Sequence, residues 1–120
     1  MSKIERIEAG SRMSEAVIYD GKVYTAGVIA GETIGKSVFE QTTDVLAQID
    51  ELLAQAGSDK TRILKANIWL TDMRNFDQLN KAWDAWVVAG QAPARATVEA
   101  KLAATGYDVE IMVEAALGKN

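Results

Sequence analysis

The segment Pro93–Glu99 (Pro-Ala-Arg-Ala-Thr-Val-Glu) contains the residues of this chain best suited to bind a small anion. Polar and small apolar residues alternate along it, which predicts a strand with Arg95, Thr97 and Glu99 on one face. The planar guanidinium of Arg95 can hold a carboxylate through two hydrogen bonds, a geometry that the ammonium of lysine does not offer. The more ordinary role of such an arginine is an ion pair with an acid on a neighbouring strand, so the choice depends on the rest of the chain.

The composition removes several classes of catalyst from consideration. The 120 residues include no histidine and no cysteine. This excludes Ser-His-Asp and Cys-His nucleophiles, imidazole acid–base chemistry and the usual zinc ligand sets. Any reaction must therefore use arginine, carboxylates, hydroxyls, backbone groups and water.

Length and charge favour one domain, residues 1–120, with an ordinary globular core. The net charge is −4 and the basic residues are scattered, which argues against nucleic acid as a partner. No apolar run approaches the roughly 20 residues that cross a membrane, and the N-terminus lacks the apolar core of a signal peptide. Together with the absence of cysteine, this predicts a cytoplasmic protein.

Periodicity and turn signals predict two helices and five to six strands. A capping box at Ser37 and Glu40 and a stop at Gly57 delimit the first helix, and Asp20-Gly21 predicts a hairpin turn. The predicted order is an edge strand over 4–8, a hairpin of 16–19 and 22–28, a loop over 29–36, a helix over 38–56, a strand over 63–70, a helix capped by Asn75 and ending near Gly90, and strands over 93–100 and 109–116.

This order predicts an α+β fold in which both helices cover one face of a mixed sheet. Leu64, Ala66, Ile68 and Leu70 are expected to face the helices, and Asn80 lies on the apolar stripe of the second helix, where it needs a hydrogen-bond partner. The opposite face is too polar for a dry core but too apolar for water, so we expect it to meet a copy of itself in a symmetric oligomer. The residues predicted for that face are Lys65, Asn67, Trp69, Arg95, Thr97, Glu99, Glu110, Met112 and Glu114.

Several of these segments together resemble the Rid family, also called YjgF or reactive-intermediate deaminases. They are Tyr24–Gly27, Asn80, Pro93–Glu99 and Glu110–Ala115, in the family order and over nearly the whole chain. The resemblance implies a chorismate-mutase-like fold, a homotrimer with clefts between subunits, and hydrolysis of 2-enamines and 2-imines to a keto acid and ammonia. It also implies that Arg95 binds the substrate carboxylate, and that no metal or cofactor takes part.

The same resemblance suggests further site residues and two departures from the best-known deaminases. It places Thr97, Ala26, Gly27, Asn80, Met13 and Met112 around the substrate. Met13 stands where those deaminases often have tyrosine, and Met112 stands where they place a glutamate near the catalytic water. Glu114, two residues further along the same strand face, is the acid predicted to act in catalysis with Arg95.

These departures leave an alternative to the enzyme open. A non-catalytic trimer could use Arg95 to hold a small carboxylate, and the loss of an acid at Met112 favours this interpretation. Ribonuclease activity or translation inhibition, attributed to some relatives, fits poorly with the acidic balance of the chain and its lack of clustered aromatic residues. Chorismate mutase activity would require one arginine to hold a dicarboxylate.

Overall fold

A mixed sheet with two helices on one face forms the protein, as predicted. The computed structural model describes residues 3–118, so residues 1–2 and 119–120 of the predicted domain lie outside it. The strands run in the order β1-β2-β3-β7-β5-β6, and a short β4 also pairs with β7. The elements are β1 Glu5–Ile7, β2 Ala16–Tyr19, β3 Lys22–Thr25, β4 Val28–Ile29, α1 Val38–Ala56, β5 Ile63–Leu70, α2 Phe76–Trp86, β6 Ala94–Glu99 and β7 Val109–Ala116.

The N-terminal hairpin turns where the sequence predicts it, but its second strand is shorter than expected. Asp20 and Gly21 both have positive φ, as a two-residue turn between right-twisted strands requires. The predicted strand over 22–28 is interrupted after Thr25, and Ile29, expected in a loop, belongs to β4. The Thr25 hydroxyl explains the break, because it accepts a hydrogen bond from the backbone N–H of Val113 (3.0 Å) in place of a backbone carbonyl.

Helix α1 has the predicted limits. The Ser37 side chain accepts from the N–H of Glu40, and Gly57 ends the helix in the left-handed conformation. One carboxylate on this helix also fixes the loop that follows β4. Asp44 accepts hydrogen bonds from the N–H of Gly31 (2.8 Å), from the N–H of Glu32 and from the hydroxyl of Thr33.

Helix α2 begins where the sequence predicts but ends earlier. Asn75 is the N-cap residue before Phe76, as predicted, although its side chain makes no capping hydrogen bond, and the helix follows directly on a short 3₁₀ turn whose cap is Asp72. The helix ends at Trp86 rather than near Gly90. Trp86 joins the two helices, since its indole N–H donates to Asp50 of α1 at 3.0 Å. Neither helix in residues 3–118 combines the length and hydropathy that crossing a membrane requires.

The central strands β5 and β7 bury one face against the helices. Ala66, Ile68 and Leu70 are almost fully buried, as predicted, but Leu64 is 48% exposed. An irregularity in the pairing of β5 with β7 between Ile63 and Lys65 changes the alternation there, so Ile63 points into the core instead. The open face carries Lys65, Asn67, Trp69, Glu110, Met112 and Glu114 in matching register, as predicted.

Strand β6 presents the opposite faces from those expected. It pairs in parallel with β5, and its register sets Arg95 beside Ala66 and Thr97 beside Ile68, both of which are buried under the helices. Arg95, Thr97 and Glu99 therefore lie on the helix side of the sheet, and the prediction that they share the open face is wrong. The alanines of β6 and Val98 occupy the open face instead, where Val98 is 49% exposed.

Candidate active site

Arg95 lies near the start of the edge strand β6 and packs against α2. Its guanidinium carbon is 5.2 Å from the ring centroid of Trp83 and 5.7 Å from that of Phe76. These distances are typical of cation–π contacts, and the flat guanidinium stacks well on aromatic rings. The two rings are seven residues, or about two turns, apart on the same face of α2, so they hold Arg95 at a defined position on the sheet edge.

The charge of Arg95 is not neutralised by the fold. The side chain is half-buried, and this burial lowers its pKa below the ordinary value, while attraction to Asp84 raises it by a smaller amount. Within residues 3–118, no carboxylate forms an ion pair or hydrogen bond with Arg95. The ion pair that the sequence suggested as its ordinary role is therefore not present in this part of the chain. A partly desolvated cation of this kind is stabilised by an anion that arrives from outside.

Two polar side chains near Arg95 also lack partners. The Oγ1 atom of Thr97 is buried and makes no hydrogen bond within the described residues. Asn80 is half-buried on the face of α2 that carries Phe76 and Trp83, and its side chain has no hydrogen bond in the described part of the chain. Buried polar groups are normally satisfied. Three of the predicted site residues thus gather at one edge of the sheet with unused hydrogen-bonding capacity.

A second group of predicted residues lies beside β4, on the other side of the central strands β5 and β7 from Arg95. Met13, which is 52% exposed, and Gly27 line a cleft of about 340 Å³ together with Glu15 and Gln48. The backbone N–H of Ala26, beside Gly27, donates to the carbonyl of Glu15 and fixes this corner.

The remaining predicted residues, Met112 and Glu114, lie on the open face of β7. Glu114 is opposite Tyr24 on one side and Lys65 on the other.

The predicted residues therefore form two separate groups within one subunit. Three strand spacings, roughly 14 Å, separate β6 from β4, beside which Gly27 lies. Arg95 faces the helices, whereas Glu114 is on the open face of the same sheet. A single subunit thus does not bring together Arg95 and Glu114, the two residues predicted to act in catalysis.

The comparisons with known proteins identify the family. The family described as Endoribonuclease L-PSP matches residues 3–117. The RutC family protein YoaB of Escherichia coli K12 is 49% identical over 114 residues, which cover 95% of this chain and 98% of YoaB. This chain belongs to the YjgF, or Rid, family. The predicted resemblance is confirmed.

Solved structures and more distant relatives of the YjgF family agree with this assignment. The crystal structure of a YjgF family member from Neisseria meningitidis is 45% identical, covers 96% of this chain and 95% of its own, and has a TM-score of 0.88. A relative from Rattus norvegicus is 29% identical over 110 residues, 88% of this chain and 80% of that protein, and is named 2-iminobutanoate/2-iminopropanoate deaminase.

In this member of the YjgF family, sequence reasoning missed three residues that shape the two groups. The sequence pattern alone gives Phe76 and Trp83 no role in the site, although they hold Arg95. Glu110 was placed on the open face without a role, although its carboxylate lies against Gly27. The signal available in the sequence was the helical spacing of Phe76, Asn80 and Trp83, which puts a polar residue between two aromatic ones.

Other features of this YjgF family chain lie away from both groups. A cleft of about 420 Å³ is formed by the loop over 101–108 and Thr71, beyond the end of β6 that is distant from Arg95. Glu99, at that end, accepts a hydrogen bond from the N–H of Met73 at 2.8 Å and so has a structural partner. Residues 3–118 contain no cluster of three potential metal ligands.

Proposed function

We propose that this protein is a hydrolytic deaminase of reactive 2-imino and 2-enamino acids, which it converts to a 2-keto acid and ammonia. The observation that carries the proposal is Arg95, a half-buried cation held by two aromatic rings and left without an anionic partner in residues 3–118. A family relationship to proteins named 2-iminobutanoate/2-iminopropanoate deaminase in Rattus norvegicus and Capra hircus supports the choice of substrate class.

In this proposal Arg95 binds the substrate carboxylate through a bidentate pair of charge-assisted hydrogen bonds. The Thr97 hydroxyl, which is buried without a partner in residues 3–118, and the half-buried side chain of Asn80 are proposed to orient the polar end of the substrate beside Arg95. The Trp83 and Phe76 rings keep the guanidinium in place before the substrate arrives, which reduces the entropy cost of binding.

The active form is proposed to be a homotrimer in which each cleft lies between two subunits. The separation of the two residue groups within one chain supports this arrangement, since a second copy can supply the missing half. The open sheet face, which carries Trp69, Met112 and the exposed Val98, is the surface that a neighbouring subunit would cover. Arg95 of one subunit would then meet the Met13, Ala26 and Gly27 corner of the partner. We place this trimer in the cytoplasm, without nucleic acid or membrane as a partner.

The chemistry requires little from the protein beyond positioning. A 2-imino acid is already electrophilic at C2, so a fixed orientation and a water molecule beside that carbon provide most of the acceleration. Neither a metal nor an organic cofactor enters the proposed reaction. The open face offers two carboxylates for proton transfer, Glu110 and Glu114, on either side of Met112.

The experiment that tests the proposal measures imine lifetime directly. An amino-acid oxidase generates a panel of 2-imino acids in situ, and trapping with semicarbazide reports how fast each one decays. The protein is expected to accelerate decay, and Arg95→Ala is expected to abolish the acceleration. Arg74→Ala is the matched control, because Arg74 is an exposed arginine paired only with Asp72. Equal decay with and without protein, combined with carboxylate binding that depends on Arg95, would favour the non-catalytic binding protein.

A further inference from the structure

Glu110 is the residue whose carboxylate lies against Gly27. It projects from β7 on the open face, opposite Ile29 of β4 and Trp69 of β5. A methyl group on Gly27 would lie 2.0 Å from Glu110 Oε2 and 2.8 Å from the carboxylate carbon, both far below contact distance. The Glu110 carboxylate can therefore occupy this position only because residue 27 has no side chain.

The Glu110 carboxylate also has no hydrogen-bonding or ion-pairing role in the fold of residues 3–118. It is half-buried, and within residues 3–118 it makes no hydrogen bond and no ion pair. Other acids of the chain are used differently: Asp44 holds a loop, Glu99 holds the N–H of Met73, and Asp50 holds the Trp86 indole. A half-buried carboxylate without a partner has both oxygens available to accept hydrogen bonds from a water molecule or a substrate nitrogen.

Glu114, the acid predicted from the sequence, is less well placed for this corner. It lies four residues further along β7, roughly 13 Å away at the strand rise, and its cross-strand neighbours are Tyr24 and Lys65. We propose that Glu110, rather than Glu114, is the catalytic base of the site, and this inference rests on the deaminase function proposed above. Gly27 serves as a positioning residue that gives the Glu110 carboxylate its room.

The step assigned to Glu110 is the addition of water to C2 of the imino acid. Glu110 takes a proton from water as the water oxygen bonds to C2 and the C=N electron pair moves to nitrogen. The same proton passes to that nitrogen and gives a neutral carbinolamine. Glu110 then takes the hydroxyl proton as the carbonyl forms and the C–N bond breaks, and it returns the proton to the departing nitrogen. The net change is imine plus water to ketone plus ammonia, with the carboxylate regenerated.

The first test compares Glu110→Gln with Glu114→Gln in the imine-decay assay over a range of pH. A placed carboxylate base contributes about 10²- to 10⁴-fold. Glu110→Gln is therefore expected to lower kcat by that factor with little change in KM. Glu114→Gln is expected to have the smaller effect on kcat, and Glu51→Gln, on the exposed side of α1, is the matched control that should keep the wild-type rate. A Glu110→Gln enzyme with the wild-type rate would overturn the assignment.

The second test uses the contact between Gly27 and Glu110. Gly27→Ala is expected to lower kcat in the wild-type background, because its methyl group displaces the carboxylate. In a Glu110→Ala background the obstructed group is gone, so the same substitution should have almost no further effect on kcat. Equal losses in both backgrounds would mean that Gly27 acts independently of Glu110 and would contradict the assignment.

The outcomes separate this inference from the function on which it rests. If the wild-type protein accelerates no imine, the deaminase function fails and the base assignment fails with it. If the wild type is active and Arg95→Ala is inactive, but Glu110→Gln is unchanged, the function stands and only the assignment of Glu110 is wrong. Circular dichroism of each variant confirms that any loss of rate occurs in a folded protein.

Discussion

Replacement of Arg95 by alanine is expected to separate ligand binding from folding. The fold gives this side chain two ring contacts and, within residues 3–118, no ion pair. Each cation–π contact at a partly exposed position contributes about 0.5–1 kcal/mol. The free energy of unfolding should therefore fall by only about 1–2 kcal/mol, which leaves the protein folded.

The loss in ligand binding should be much larger. Removal of one partner of a desolvated, hydrogen-bonded charge pair costs about 2–5 kcal/mol, or about 30- to 4000-fold in affinity. Arg95→Lys keeps the charge and part of the ring contact but loses the planar pair of donors, so it should recover little of this factor. Urea unfolding measures the first quantity, and the rate of imine decay at limiting substrate measures the second.

Two results would refute this reasoning. Full activity of Arg95→Lys would mean that a point charge is sufficient and that no bidentate carboxylate is held. A loss of unfolding free energy well above about 2 kcal/mol in Arg95→Ala, with activity lost only in proportion to the unfolded fraction, would make Arg95 a structural residue.

Three further predictions concern the buried hydroxyl, the assembly and the loop anchor. Thr97→Val removes a buried hydroxyl without a partner, whose desolvation costs about 1–3 kcal/mol, so the urea midpoint should rise while imine turnover falls; a lower midpoint would contradict this. Light scattering should give three times the 13.0 kDa chain mass, and a stable species of 13.0 kDa would disprove the trimer. Burial raises the pKa of Asp44, but its hydrogen bonds outweigh this and hold it below the ordinary 3.8. The stability that Asp44 adds is thus complete above pH 3.8, the ordinary pKa, and is lost as the pH falls through the lower pKa of the folded state. Asp44→Asn should therefore make the free energy of unfolding in urea less dependent on acid pH. An unchanged dependence would contradict this.

The parts of the fold that local chemistry determines could be predicted from the sequence. The Ser37 cap and the left-handed Gly57 fix the ends of α1 within the helix itself, and Asp20-Gly21 fixes its hairpin turn without help from distant residues. The break after Thr25 could not be found in this way. It depends on a hydrogen bond from Val113, which is 88 residues away in the sequence.

The candidate site shows the same division. The alternation around Arg95 correctly predicts a strand with Arg95 and Thr97 on one face, but a period of two fits either face of a sheet equally well. Only the register against β5 decides that they face the helices. The contact between Gly27 and Glu110 likewise joins β7 to a residue between β3 and β4 that is distant in sequence, and neither residue type predicts it.

The two edges of the sheet differ in a way that affects how the protein must be handled. β1, at one edge, has only three residues, so it offers little backbone for pairing with a foreign strand. β6, at the other edge, has six residues, no lysine or proline within it, and an exposed Val98. A newly folded chain with this edge uncovered can pair with any extended polypeptide it meets. The refolding yield should therefore depend on the relative rates of correct association and aggregation. Slow dilution from denaturant at low protein concentration should recover more folded protein than rapid dilution at high protein concentration.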